Sequence, residues 1–467
     1  MTRGSIQLER HETGLIGSLV ALLAYAAWAR GGTHVPLQWP LPLLALLVLI
    51  FTAFGAGRGW FKVLFKDAVF WLGAAFLTLI ILQSVNAGRV LLYDPARGAW
   101  FYSRPPMPGL PSAISRSESL EMLRWFFPAW AVVLAIRANV LRRRALRLLY
   151  LLMAVNGGLL AVLGIAQFVS GATSIYGVYP LKTHFFAAFG YANHAGAYFN
   201  LMFALSAGLL IHDAKFFREP ERRLRLMVLV PVTVLNFIAA NLSLSRAGMI
   251  FSWGLAAFFG LYAMWWVGRL MTPAHRAYFL AGLAVLACSA YLVVGGLARD
   301  AIRRELSGQE YKTRSSLPLK GEWQMLRVAS VRIWKDHPWV GIGGWGFRYM
   351  LSVYLEPSQW DGIRTGDANA HNDPLQFLVE FGAVGGVLMA GVVLSLLVPI
   401  LRSGRWLDPL MLFPLAGAGV TALHSLIDLP FRSPAILMAW LLILAAMLRQ
   451  LPPSARKQAG VAAEPGL

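Results

Sequence analysis

Twelve stretches of this chain are apolar and long enough to cross a bilayer: 13–29, 37–56, 67–85, 120–136, 146–169, 186–211, 226–242, 247–268, 277–298, 374–400, 407–429 and 433–448. No other feature narrows the fold so far. In hydrocarbon every backbone N–H and C=O must be satisfied within the chain, and a single apolar run achieves that only as an α-helix. The pattern therefore predicts an all-α polytopic membrane protein with about 12 transmembrane helices. With 57% hydrophobic and 14% charged residues, the composition lies well outside soluble globular usage. The first stretch is expected to remain as a span, because no small-residue cleavage site separates it from the second. The single cysteine, Cys288, lies inside a span and leaves no disulfide framework to infer.

An even number of spans puts both termini on one side. The short loops and tails of that side hold 22 Lys and Arg, against about 8 in the short loops opposite. Residues 299–370 carry 11 more, but long loops translocate largely regardless of charge. Both termini are therefore expected in the cytoplasm. The net charge of +20 then belongs to loops on an anionic leaflet and asks for membrane lipids, with no nucleic acid. The expected organisation is nine spans over 1–298, a large outer loop over 299–373, three spans over 374–448 and a cytoplasmic tail over 449–467. Loop 86–119 is rich in proline and aromatics. Within the large loop, Glu322 to His337 has helical spacing, with Trp323, Leu326, Val331 and Trp334 near one face, and is expected to lie on the membrane surface. Pro338 ends it. GIGGWGF (Gly341 to Phe347) follows a helix rather than a strand, so it is a turn and not a phosphate cradle.

Several polar groups stand at the outer edges of these spans. His371, Asn372 and Asp373 end the large loop directly before the tenth span. They are either a helix-capping triplet or a site that faces water and is reached from lipid. In NLSLSRAG (Asn241 to Gly248), Arg246 is either a snorkelling interface cation or a functional one. FGYANHAGAYFN places Tyr191, Asn193, His194 and Asn200 in the outer half of an apolar span, where a hydrogen-bonded structural cluster and a substrate pocket both fit. Glu380 is expected to find an internal partner, and His424 and Asp428, four apart, to bond each other or backbone. No Asp-x-Asp pair stands on the outer face, so neither a divalent metal nor another cofactor is expected.

SRAG (Ser245 to Gly248), DHPWVGIGGWGF (Asp336 to Phe347) and HNDPLQFLVEFGAVGG (His371 to Gly386) stand in the order and spacing of the O-antigen ligase/polymerase superfamily, and FGYANHAG is similar to its Asn-x-Asn-His segment. The resemblance covers about 185 to 430. It implies a Gram-negative inner-membrane glycosyltransferase that takes glycan from undecaprenyl pyrophosphate at the periplasmic face, without metal. The ligase, with lipid A–core as acceptor in lipopolysaccharide assembly, is the expected member. A polymerase and a protein O-oligosaccharyltransferase are the alternatives within the family. A bicarbonate-type transporter is the alternative from another class, although it would place its ionisable groups near midplane.

By the same resemblance His371 corresponds to the catalytic histidine and Arg246 to the first essential arginine. A second arginine is usual about fifteen residues before the proline that is Pro338 here; that register gives Trp323, and Lys320 and Arg327 are the nearest cations. Tyr191 stands where an asparagine is common, and with Asn193 and His194 it is expected on the substrate side. Asn372 or Asp373 would orient His371 or bind sugar hydroxyls. The chemistry suits these residue types. A lipid pyrophosphate leaves with growing negative charge, which an arginine fork holds bidentately. An acceptor hydroxyl is a poor nucleophile, and a neutral histidine can take its proton. Attack opposite the leaving group inverts the anomeric centre.

Overall fold

The computed structural model describes residues 10–56, 60–139, 141–181, 184–214, 216, 219–270, 273–307, 319–356, 368–405 and 407–451. Its helices are α1 (Arg10–Trp28), α2 (Pro40–Ala56), α3 (Trp60–Phe65), α4 (Ala68–Val85), α5 (Arg116–Ala138), α6 (Arg143–Ser170), α7 (Ala192–Ala214), α8 (Pro220–Leu242), α9 (Arg246–Leu270) and α10 (Pro273–Ser307). After these come α11 (Leu319–Asp336), α12 (Phe347–Tyr354), α13 (Asp373–Arg402), α14 (Pro409–Ser425) and α15 (Pro434–Arg449). Each of the twelve apolar stretches forms a helix. Among the described residues, 8 helices are long and apolar enough to cross a membrane, and α14 and α15 are shorter apolar helices. The tail expected over 449–467 lies mostly outside the described residues.

Two helices form the interior. α7 packs against α6, α8, α9 and α14, and α15 against α1, α5, α13 and α14. Both are buried along nearly their whole length, consistent with a sequence that is apolar on every face. Small residues allow close approach: a methyl group on Gly196 of α7 would lie 3.1 Å from the Cα of Gly248 in α9. Two boundaries differ from the sequence expectation. α7 begins at Ala192 rather than 186, because Phe186 and Phe189 close a tight turn with two mutual backbone hydrogen bonds. α14 ends at Ser425, which leaves Asp428 in the turn before α15.

The end of the bundle formed by the start of α4 and the ends of α5 and α15 is closed by buried charge. Asp67 caps α4 by accepting from the Val69 amide at 2.9 Å, and it accepts two bonds from Arg137 at 2.5 and 2.9 Å. Arg449 donates to the Ile136 and Arg137 carbonyls at 2.8 and 2.6 Å, satisfying the last turn of α5.

At the other end α13 is broken at Gly382 (φ 63°, ψ −169°). The turn after α11 fills the break. Ile342 and Gly343 donate to the Val379 and Glu380 carbonyls, and Ala383 and Val384 donate to the Pro338 and Trp339 carbonyls. Backbone freed by a broken helix in a membrane has to be re-satisfied by protein in this way. It also explains the glycines: a side chain on Gly341 would meet the Glu380 backbone at 2.4 Å, and one on Gly382 the Trp339 backbone at 2.3 Å. α11 forms as expected, but its buried stripe is Leu326, Ala329 and Ile333. Val331, expected on that face, is 36% exposed, one position out of the helical register. Loop 86–119 contains a two-stranded hairpin, β1 (Leu91–Asp94) with β2 (Ala99–Tyr102), and a second small hairpin pairs β3 (Ser174–Ile175) with β4 (Tyr179–Pro180).

Candidate active site

The first residues of α7, α9 and α13 meet the turn between α14 and α15, and their common point is the carboxylate of Asp428. The Tyr191 hydroxyl donates to its two oxygens at 3.0 and 2.8 Å, and the Asn193 amide donates to it as well. Asn193 in turn accepts from the Ser245 hydroxyl at 2.6 Å, and that hydroxyl caps α9 by accepting from the Gly248 amide at 3.0 Å. The Asp428 carbonyl accepts from the Asp373 amide at 3.1 Å, which ties the start of α13 to the same turn. One side flank of Tyr191 reaches solvent, while its hydroxyl is enclosed. That enclosure, and then the Asp428 charge, hold the phenol well above its ordinary range; the charge of Arg246 opposes the rise.

His371 stands over this carboxylate. Its Nδ1 lies 3.5 Å from Asp428 Oδ1, within ion-pair reach but too far for a well-formed hydrogen bond. The imidazole is 28% exposed, and its flat face stacks on the Trp323 indole with ring centres 5.7 Å apart and planes 21° off parallel. The backbone of His371 is left-handed (φ 46°), as is that of Leu244 (φ 56°), two residues before Arg246. For a side-chain-bearing residue this costs on the order of 1–3 kcal/mol and persists only where the surroundings impose it. Burial by itself pushes Asp428 up, but the His371 ring, His424 and the Tyr191 hydroxyl outweigh it and hold the carboxyl below its usual range.

Three cations were expected here. Arg246 opens α9, half-buried, with its charge felt at Tyr191. Arg327 donates to the Leu426 carbonyl at 3.4 Å, the same oxygen that accepts from Asn372 at 2.8 Å, so it belongs to the rim of this site. Lys320 is two turns before Arg327 on α11, and its side chain lies outside the described residues. Trp323, in the register of the usual second arginine, is the residue that touches His371.

Asn372 and Asp373 are both engaged by backbone groups. Asn372 is the cap of α13, its side-chain oxygen accepting from the Leu375 amide at 2.8 Å. Asp373 is buried and accepts from the Phe431 amide at 2.8 Å. The carboxylate within ion-pair reach of the His371 ring is that of Asp428. His194 is buried with Nε2 3.0 Å from the Leu429 carbonyl and its ring edge-on to Tyr191, a brace behind the cluster. Asn200 donates to the Gly248 carbonyl at 2.9 Å and joins α7 to α9. Glu380 does find an internal partner: Arg432, at 2.6 Å, with Gln376 at 3.0 Å. His424 and Asp428 are joined by backbone, Asp428 N to His424 O at 3.0 Å, and not by their side chains. In the sequence, spacing links Asp428 only to His424. It lies fifty-odd residues beyond His371, and no local spacing signals that the turn folds back onto the start of α13.

Beside Asp373 and Arg432 an apolar cavity of about 590 Å³ runs down the flank of α13, walled by Trp125, Phe377, Phe381 and Trp440. Its charged mouth and apolar body suit a molecule with a polar head and a hydrocarbon tail. His371, Asp428, Arg246 and Arg327 do not line this cavity; at the His371–Asp428 pair the chemistry available is proton transfer at a ring nitrogen with a carboxylate behind it, with cations at the start of α9 and on α11. Residues 231–390 match the family model described as O-Antigen ligase, a span that holds Arg246, Trp323, Arg327 and His371. A comparison with curated proteins gave no match.

Proposed function

We propose, from the match of residues 231–390 to the O-antigen ligase family model, that this chain is an O-antigen ligase of the ligase/polymerase superfamily, moving glycan from undecaprenyl pyrophosphate to lipid A–core. The observation that carries the reading is the His371–Asp428 pair at 3.5 Å, open to solvent on one side and flanked by Arg246 and Arg327. Nδ1 faces the carboxylate, so Nε2 is the nitrogen left for substrate. It takes the acceptor hydroxyl proton as that oxygen attacks the anomeric carbon. The bond from that carbon to the pyrophosphate oxygen breaks, the electron pair leaves with the phosphate, and configuration inverts. Asp428 stabilises the imidazolium that forms, the role a carboxylate plays behind a catalytic histidine. Arg246, with Arg327 or Lys320, holds the pyrophosphate, and such fixed cations contribute several kcal/mol where charge develops. The apolar cavity along α13 supports a lipid-borne substrate.

The charge asymmetry of the short loops supports an orientation with the site at the periplasmic face and both termini in the cytoplasm, in a Gram-negative inner membrane. The test is transfer by the purified protein from a lipid-pyrophosphate glycan to purified lipid A–core. Product on lipid A–core is the expected result. Product formed only on a growing glycan or on a protein acceptor would assign a different member of the superfamily.

A further inference from the structure

At the opposite end of the bundle the start of α6, the end of α7 and the start of α8 enclose a cavity of about 290 Å³ with no part in the chemistry above. Four arginines line it: Arg144 and Arg147 from α6, Arg222 and Arg225 from α8. The two on α8 are partnered. Arg222 bonds the buried carboxylate of Asp213 and lies 3.4 Å from Glu219, and Arg225 lies 3.9 Å from Asp213. The two on α6 are not paired with any carboxylate among the described residues. Arg147 has one terminal nitrogen 3.2 Å from the His212 ring, and its Nε is enclosed without a hydrogen-bond acceptor. Arg144 precedes it by three residues, on the same helix face. Asp213, Glu219 and Glu221 also line the cavity, so against the four arginines one positive charge is left over, and the enclosed Arg147 nitrogen without an acceptor is costly.

The inner wall supplies the second half of the argument. Below the arginines Leu148 and Leu151 continue along α6 and Leu229 along α8, so the cavity is basic at its mouth and apolar toward the bilayer. A free anion would leave that apolar wall without a partner, whereas a lipid would use both parts. We propose that this cavity is a binding site for the phosphate group of an anionic phospholipid, held by Arg144 and Arg147 with its acyl chains along the leucines. Basic pockets between spanning helices are the expected receptors for such headgroups, and a guanidinium fork matches phosphate oxygens.

The test uses the purified full chain in neutral detergent and follows its thermal melting with added dioctanoyl phosphatidylglycerol, dioctanoyl phosphatidylcholine or inorganic phosphate. Phosphatidylglycerol should raise the melting temperature saturably, with the other two far weaker at equal concentration. In Arg144→Gln/Arg147→Gln the apparent affinity for phosphatidylglycerol should fall by about tenfold or more, the loss expected for two charge-assisted contacts. Equal protection by phosphatidylcholine, or an unchanged affinity in the double variant, would overturn the site. Equal protection by inorganic phosphate would overturn the lipid as its occupant. If the double variant does not fold, the wild-type series still decides, and Arg144→Gln alone, at an exposed position, replaces it.

Discussion

At the closed end of the bundle Asp67, Arg137 and Arg449 are 3% exposed or less, and at the site end Asp428 is equally buried at 3%. Their partners differ. Asp67 receives two bonds from a rigid guanidinium and one from the backbone, and Arg449 completes the same corner by capping α5. Asp428 receives bonds from neutral Tyr191 and Asn193, while the cationisable partner, His371, stays 3.5 Å away and 28% exposed. A carboxylate committed to a buried arginine holds helices together and can do little else. A carboxylate supported by neutral donors keeps its charge available to a ring that gains a proton. Burial alone therefore does not separate the two carboxylates; their partners do.

The largest effect tests the closed end. Arg137→Ala leaves Asp67 buried without its counter-charge, and loss of one partner from such a pair typically costs about 3–5 kcal/mol. Melting in detergent should show that loss, with transfer per folded molecule unchanged. A variant as stable as wild type would remove the contrast between the two ends. Next is Arg246→Lys, which keeps the charge but loses the fork. Transfer should fall by about 10²–10³-fold with insertion and stability retained, the loss typical of one transition-state donor. Near-normal transfer would show that Arg246 does not hold the pyrophosphate.

The helices were legible because their cause is local. Twelve apolar runs each form a helix, and α7 and α15, apolar on all faces, are the buried ones. His371 and Arg246 were legible because each stands in a short motif at the end of a span. What was not legible depends on the chain folding back on itself. Asp428 reaches His371 through a turn whose course is set by the Asp373 amide and the Phe431 amide, contacts more than fifty residues apart in sequence. GIGGWGF read as a glycine-rich turn, whereas the requirement for Gly341 comes from the break at Gly382 in a different helix. Trp323 read as one face of a surface helix, and its stacking on His371 depends on where α11 meets α13. Asn372 and Asp373 were drawn to the histidine by adjacency, whereas the contacts they make, to the Leu375, Leu426 and Phe431 backbone, depend on the helix start and on the distant turn before α15.

Asp428→Asn is a smaller change that sharpens the comparison. It keeps the shape while removing the charge behind His371, so transfer should fall about 10- to 100-fold or more with donor binding retained. The smallest effect is in pH. Because the folded protein holds Asp428 below its usual range, its charge stabilises the fold above the unfolded value, near 4, and this contribution is lost as pH falls through the lower folded value. Melting between pH 7 and 3 should therefore decline less steeply in Asp428→Asn than in wild type. An identical decline would place the acid-sensitive group elsewhere.

The central claim is that His371, supported by Asp428, removes the proton from the acceptor. Its direct test is single-turnover transfer by purified His371→Ala, measured beside binding of the lipid-pyrophosphate glycan. Loss of the base should cost about 10²–10⁴-fold in transfer and leave donor binding and melting near wild type, because the cap of α13 is Asn372 and not the histidine. A folded His371→Ala protein that binds donor and transfers glycan at the wild-type rate would contradict the account.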